Sequence, residues 1–150
     1  MSRRDLPGRT LNHSFAGPSG EPAIMIEAIP VAVRDEIDVA FVSARSPWRQ
    51  GIWFATTGEL EIADVVGPQM TLWSDTAPPR VRIRVRSTDG WLRFYNVWDS
   101  RRPGKGGRES QSHTSGMIAT EVDERTTRYG ANDIGDPPDF AKLVFTITRR

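Results

Sequence analysis

The stretch "VRIRVRSTDGWLRFYNVW" (residues 81–98) decides the fold class. Val81, Ile83 and Val85 alternate with Arg82, Arg84 and Arg86, the period-two pattern of a strand with one apolar and one polar face. Asp89-Gly90 follows, a pair suited to a two-residue hairpin turn, because both central residues of a type I′ turn take positive φ. With that turn Val85 is expected to face Phe94, Arg84 to face Tyr95 and Val81 to face Trp98. One side then carries Val81, Ile83, Val85, Leu92, Phe94 and Trp98, with Asn96 as its sole polar intruder. The other carries Arg82, Arg84, Arg86, Arg93, Tyr95 and Val97. A slip of one residue mixes the two faces, so the hairpin is the self-consistent reading.

The same texture recurs along the chain. "AIMIEAI" (23–29), "IDVAFVSA" (37–44), "GIWFATT" (51–57), "ELEIADVV" (59–66), "QMTLW" (69–73), "GMIATEV" (116–122), "TTRYGAN" (126–132) and "KLVFTIT" (142–148) are short, rich in β-formers and separated by turn residues. About ten strands at such spacing predict an all-β domain, an antiparallel β-sandwich of jelly-roll type with little or no helix. A single helical turn is allowed at "DPPDFAKLV". Residues 1–22, rich in Pro, Gly and Ser, read as a flexible N-terminal arm, and residues 23–150 as one sandwich domain.

Composition narrows the function classes. The chain has 150 residues, enough to bury about 68–70% of its unfolded surface without a metal or disulfide. There is no cysteine, which excludes a disulfide scaffold, a Cys-ligated zinc site and a thiol nucleophile. Twenty basic residues stand against 19 acidic, a net charge of +1, so no global basic field draws in nucleic acid. No run of about 18 apolar residues and no apolar leader segment occurs, so the chain is expected to be soluble and cytoplasmic, off the membrane.

Three stretches carry polar chemistry. Arg82, Arg84, Arg86 and Arg93, with Tyr95, form an arginine face, and like charges across strands are unfavourable. Either a neighbouring strand bearing Glu59 and Glu61 laces them, or an acidic partner does. Next, "SRRPGKGGRESQSHTSG" (100–116) is a long loop whose first half, with Arg101, Arg102, Lys105, Arg108 and Glu109, has charge +3. "PGKGG" lacks Walker spacing, so no nucleotide or other cofactor is expected. The second half offers Ser110, Ser112, His113, Thr114 and Ser115. Adjacent residues of an extended segment point apart and no G-x-S-x-G elbow is present, which argues against a Ser–His nucleophile. Finally, "NDIGDPPDF" (132–140) has charge −3; Asp133, Asp136 and Asp139 are weak Ca²⁺ candidates without EF-hand spacing. The two oppositely charged loops are expected to dock. Of the tryptophans at 48, 53, 73, 91 and 98, most are expected in the core.

These residues favour a non-catalytic binding or protein-interaction module. It would engage an acidic or polar protein or small molecule through the arginine face, the loop cations and His113. A second reading is a carbohydrate or small-ligand sandwich using tryptophans and the Asp-rich loop, with or without Ca²⁺. A third is an enzyme whose polar site gathers His113, Asp133 and Asp99.

Overall fold

The computed structural model describes residues 8–135 and 137–150. They form ten strands: β1 (Thr10–Ala16), β2 (Pro22–Pro30), β3 (Glu36–Ala44), β4 (Arg49–Ile62), β5 (Val65–Trp73), β6 (Arg80–Ser87), β7 (Trp91–Asp99), β8 (Gly116–Glu121), β9 (Thr126–Asn132) and β10 (Leu143–Arg149). A single hydrogen-bonded turn forms at 139–142, Lys142 N–H donating to the Asp139 carbonyl at 3.4 Å, and does not extend into a helix. Among the described residues no helix is long and apolar enough to cross a membrane.

Every pairing is antiparallel. The order β2-β7-β4-β6-β3-β10-β9-β8 returns to β2 through the pair Ile24↔Met117. The expected sandwich is therefore a closed eight-stranded barrel, with β1 added to β2 and β5 added to β4. The physical reason lies in strand length. β2 pairs with β7 as far as Pro30↔Trp91, and β3 resumes on β6 at Glu36↔Arg84. Between them Val31 N–H donates to the Gly90 carbonyl and Arg34 N–H to that of Val85. Two long ribbons thus bend together, and a sheet bent at such a corner closes on itself.

β4 runs past both halves. Arg49–Ala55 pairs with β7 and Glu59–Ile62 with β6. Both partners are antiparallel to β4, so β6 and β7 run in the same direction and do not pair. The hairpin at Asp89-Gly90 is corrected to a corner. Gly90 has φ of 103°, but Asp89 is not among the residues with positive φ, and a type I′ turn needs both. Val85 faces Leu60 rather than Phe94, and Tyr95 faces Trp53 rather than Arg84.

The alternation itself survives. Val81, Ile83 and Val85 are buried while Arg82, Arg84 and Arg86 are exposed. In β7 Leu92, Phe94, Asn96 and Trp98 are buried, so the corner absorbs a change of parity, and Val97, expected on the arginine side, is buried as well. The interior is filled by side chains: Phe94 lies edge-on to Tyr129 at 5.2 Å, and Tyr129 stacks on Phe145 at 5.2 Å. Of the tryptophans only Trp98 is fully buried; the other four are half-buried. Trp53 stacks on Tyr95 at 4.7 Å, and Trp73 lies under the Arg49 guanidinium at 4.4 Å. These outer-wall contacts explain why an apolar setting in sequence did not place them in the core.

The supposed arm is also corrected in part. Residues 10–16 are β1, held by buried Asn12 and by Phe15, whose ring meets Phe140 at 5.8 Å. Residues 1–7 and Asp136 lie outside the described residues.

Gly58 marks the point where β4 passes from β7 to β6. Its φ is 137°, and a Cβ there would lie 2.3 Å from the Ser87 carbonyl oxygen. Backbone meeting backbone cannot relax cheaply. Gly58→Ala is therefore expected to lower unfolding free energy by at least about 2 kcal/mol, read as a lower denaturant midpoint at constant m.

Candidate functional site

At one end of the barrel β3, β7 and β9 finish while β4, β8 and β10 begin, and the connecting loops meet there. The β7–β8 connection opens with a tied excursion. Trp98 and Glu109 exchange backbone hydrogen bonds: Trp98 N–H to the Glu109 carbonyl at 3.1 Å, and Glu109 N–H to that of Trp98 at 2.7 Å. The Glu109 carboxylate accepts from the Ser100 amide at 2.8 Å, from the Ser100 hydroxyl, and from the Arg102 guanidinium at 2.6 Å. Burial pushes this carboxyl up. The Ser100 hydroxyl, Arg102 and the Ser100 amide outweigh burial and hold it at about 2, from an ordinary 4.5. The glycines of "GKGG" have a backbone reason: Gly104, Gly106 and Gly107 take φ of 79°, 74° and 80°.

The second half of the loop is fixed by amides. Buried Asn12 donates its Nδ2 to the carbonyls of His113 (3.0 Å) and Ser115 (3.1 Å). Ser115 Oγ accepts from Ser112 N–H at 2.8 Å. Asn132, fully buried, donates to the Thr114 carbonyl at 2.6 Å and the Gly135 carbonyl at 3.2 Å, and accepts from Asp139 N–H at 3.2 Å. Asn96 donates to the Asn132 carbonyl at 3.1 Å. Gly135 N–H closes the link on Thr114 Oγ1 at 3.0 Å. The two loops do meet, but through neutral hydrogen bonds. Asp133, the buried acid of the second loop, is answered by Lys142 Nζ at 2.8 Å, Ser46 Oγ at 2.7 Å and Gln50 Nε2 at 3.0 Å.

Between these loops lies an open cleft of about 790 Å³. Buried Trp98 backs the cleft, Arg102, Lys105 and Arg108 bring cations, and Ser110, Ser112 and Thr114 bring hydroxyl-bearing side chains. Ile134 and Gly135 also line it. Arg108 reaches Thr71 Oγ1 at 3.0 Å, and Arg102 carries the ion pair with Glu109. Buried Trp98 Nε1 has no hydrogen-bond partner among the described residues.

The other residues singled out by sequence are placed differently. Arg82 pairs with Glu36 at 3.3 Å and Asp38 at 3.1 Å, Arg84 with Glu36 at 3.2 Å, Arg86 with Glu61 at 3.2 Å, and Arg93 with Asp89 at 3.0 Å. Carboxylates from β3 and β4 therefore lace the arginine face. Arg101 is exposed, its amide held by Asp99 Oδ1 at 2.8 Å. His113 is exposed, Asp133 is buried, and no hydrogen bond joins either to the other or to Asp99. Asp139 Oδ1 accepts from Ala141 N–H at 2.9 Å and is not brought to Asp133. Among the described residues no three His, Asp or Glu side chains converge on a metal position. Sequence reasoning missed Asn12 and met Asn132 only as the first residue of the acidic stretch 132–140; Asn96, polar on an apolar face, was a further signal.

No known family model matches the chain, and no curated protein matches it.

The depressed carboxyl fixes a pH window. Its stabilising effect is full above the ordinary 4.5 and is lost as pH falls toward about 2. Glu109→Gln at neutral pH should mimic that loss locally. Trypsin is expected to cut after Lys105 and Arg108 several-fold faster in this variant, and the melting temperature to fall. Equal cutting rates would show that the carboxylate does not hold the loop.

Proposed function

We propose that the protein is a non-catalytic binding module, and that its site is the cleft between residues 100–115 and 133–135. The ligand class is a compact group of oxyanions, phosphate or carboxylate. One observation carries this reading: three cations and a set of hydroxyl-bearing side chains line one cleft, on a loop tied at its base. Among the described residues Lys105 meets no carboxylate, so its charge is available to a ligand. A tied loop loses little entropy when a ligand arrives, which favours affinity. The volume lies within the usual range for ligand sites, roughly 300–1,000 Å³.

The net charge of +1 makes any attraction local, because fields are screened beyond about 8 Å at physiological salt. That favours a short anionic group over a long polyanion. The arginine face supports binding less well. Its guanidiniums already meet Glu36, Asp38, Glu61 and Asp89, and exposed pairs of that kind contribute about 0–1 kcal/mol each.

Titration with tripolyphosphate and, separately, with a hexaglutamate peptide tests the reading and distinguishes the two sources of oxyanion. Lys105→Ala combined with Arg108→Ser is expected to weaken binding of the preferred probe at least tenfold while leaving the melting curve in place. Arg82→Ser, Arg84→Ser and Arg86→Ser together should change it less than twofold. Loss of binding in that second variant alone would move the site to the barrel wall. No binding of either probe at low salt would end the proposal.

A further inference from the structure

Glu27 is the only charged residue of β2 and is fully buried. It sits opposite Phe94 in the pairing of β2 with β7. Its carboxylate accepts four hydrogen bonds. Two come from the barrel wall: the Ala28 amide reaches Oε1 at 3.0 Å, and the Tyr129 hydroxyl reaches Oε2 at 2.8 Å. The other two come from Arg9, whose Nε donates to Oε1 at 2.8 Å and whose Nη2 donates to Oε2 at 2.7 Å. The guanidinium thus meets the carboxylate side-on with two parallel bonds, the geometry an ammonium cannot reproduce. The side chains of Arg9 and Glu27 are 5% and 0% exposed, so this pair is shielded from water.

The two halves of the arrangement are held very differently. The carboxylate is fixed by the wall. The Tyr129 ring is clamped between Phe145 and Phe94, and the Ala28 amide belongs to the strand itself. Arg9 arrives on the lead-in to β1, an added strand that pairs with β2 at four positions interrupted by two register shifts. Removing the guanidinium leaves a formed acceptor with a buried, unanswered charge, one of the least favourable states a protein interior can hold.

We propose that Glu27, Tyr129 and the Ala28 amide form a guanidinium-binding site in the barrel wall, and that Arg9 is its resident ligand. The class of external ligand is an N-alkyl guanidinium, such as the arginine side chain of a peptide. It occupies the site where the Arg9 side chain is absent. This site shares no residue with the cationic cleft and selects the opposite charge.

Chemical complementation tests it, with methylguanidinium as the probe. Arg9→Ala in the full chain is expected to melt well below the wild type. Low-millimolar methylguanidinium should restore at least half of that loss, saturably, while methylammonium restores none and the wild type does not respond. Adding Glu27→Gln to Arg9→Ala should abolish the response, because no charge then awaits a partner. If Arg9→Ala does not fold alone, it is refolded with and without the probe, and recovery only with methylguanidinium supports the site. Failure of the probe to restore folding or melting temperature overturns the proposal, as does an equal response to methylammonium or in the wild type.

Discussion

Everything in this molecule follows from a bend taken in common by neighbouring strands. The chain turns at 31–35 between β2 and β3, at 56–58 within β4, and at 87–91 between β6 and β7, and these segments lie side by side. Were they out of step, the backbone donors of one strand would face no acceptor on the next, a cost the barrel avoids by bending on one line. Gly58 and Gly90 supply conformations there that other residues adopt only under strain. Once the sheet has folded over, β10, β9 and β8 need span only the remaining gap, and a single residue pair completes the ring.

How much of this was legible depends on range. The inward and outward faces of 81–86 are written in the chain, because alternation is a property of adjacent residues. Which strand lies beside them is not, since Val39 and Leu60 reach Val81 and Val85 across long stretches of sequence. Asp89-Gly90 matches a tight turn locally, yet here the extended pairing with β4 outweighs the local preference. Gly58 misled in the opposite direction: it looks like a break, so one 14-residue strand reads as two. β1 was hidden because Thr10, Asn12, His13 and Ser14 outnumber its apolar residues and break any period-two pattern.

The candidate site shows the same division. Length and glycine content single out residues 100–116, and three of their four cations, Arg102, Lys105 and Arg108, line the cleft. The contact with 132–140 was expected to be ionic, yet its links are Thr114, Asn132 and Gly135. Amides buried with several partners fix a loop more sharply than opposite charges in water, where screening leaves little directional preference. Nothing in the sequence tied Glu27 to Arg9, 18 positions earlier and in a stretch with no apolar period.

β5 lies outside the ring, paired on one side only, and carries exposed Val65 and Val66. A free margin of that kind invites another chain to add on, the route to aggregation. Pro68 stands in the middle of the strand, where pairing with β4 shifts register between Gly67 and Gln69. A proline offers no N–H, and the irregular step beside it breaks the straight rail an incoming segment would need. The barrel thereby keeps an open border without inviting fibre growth along it.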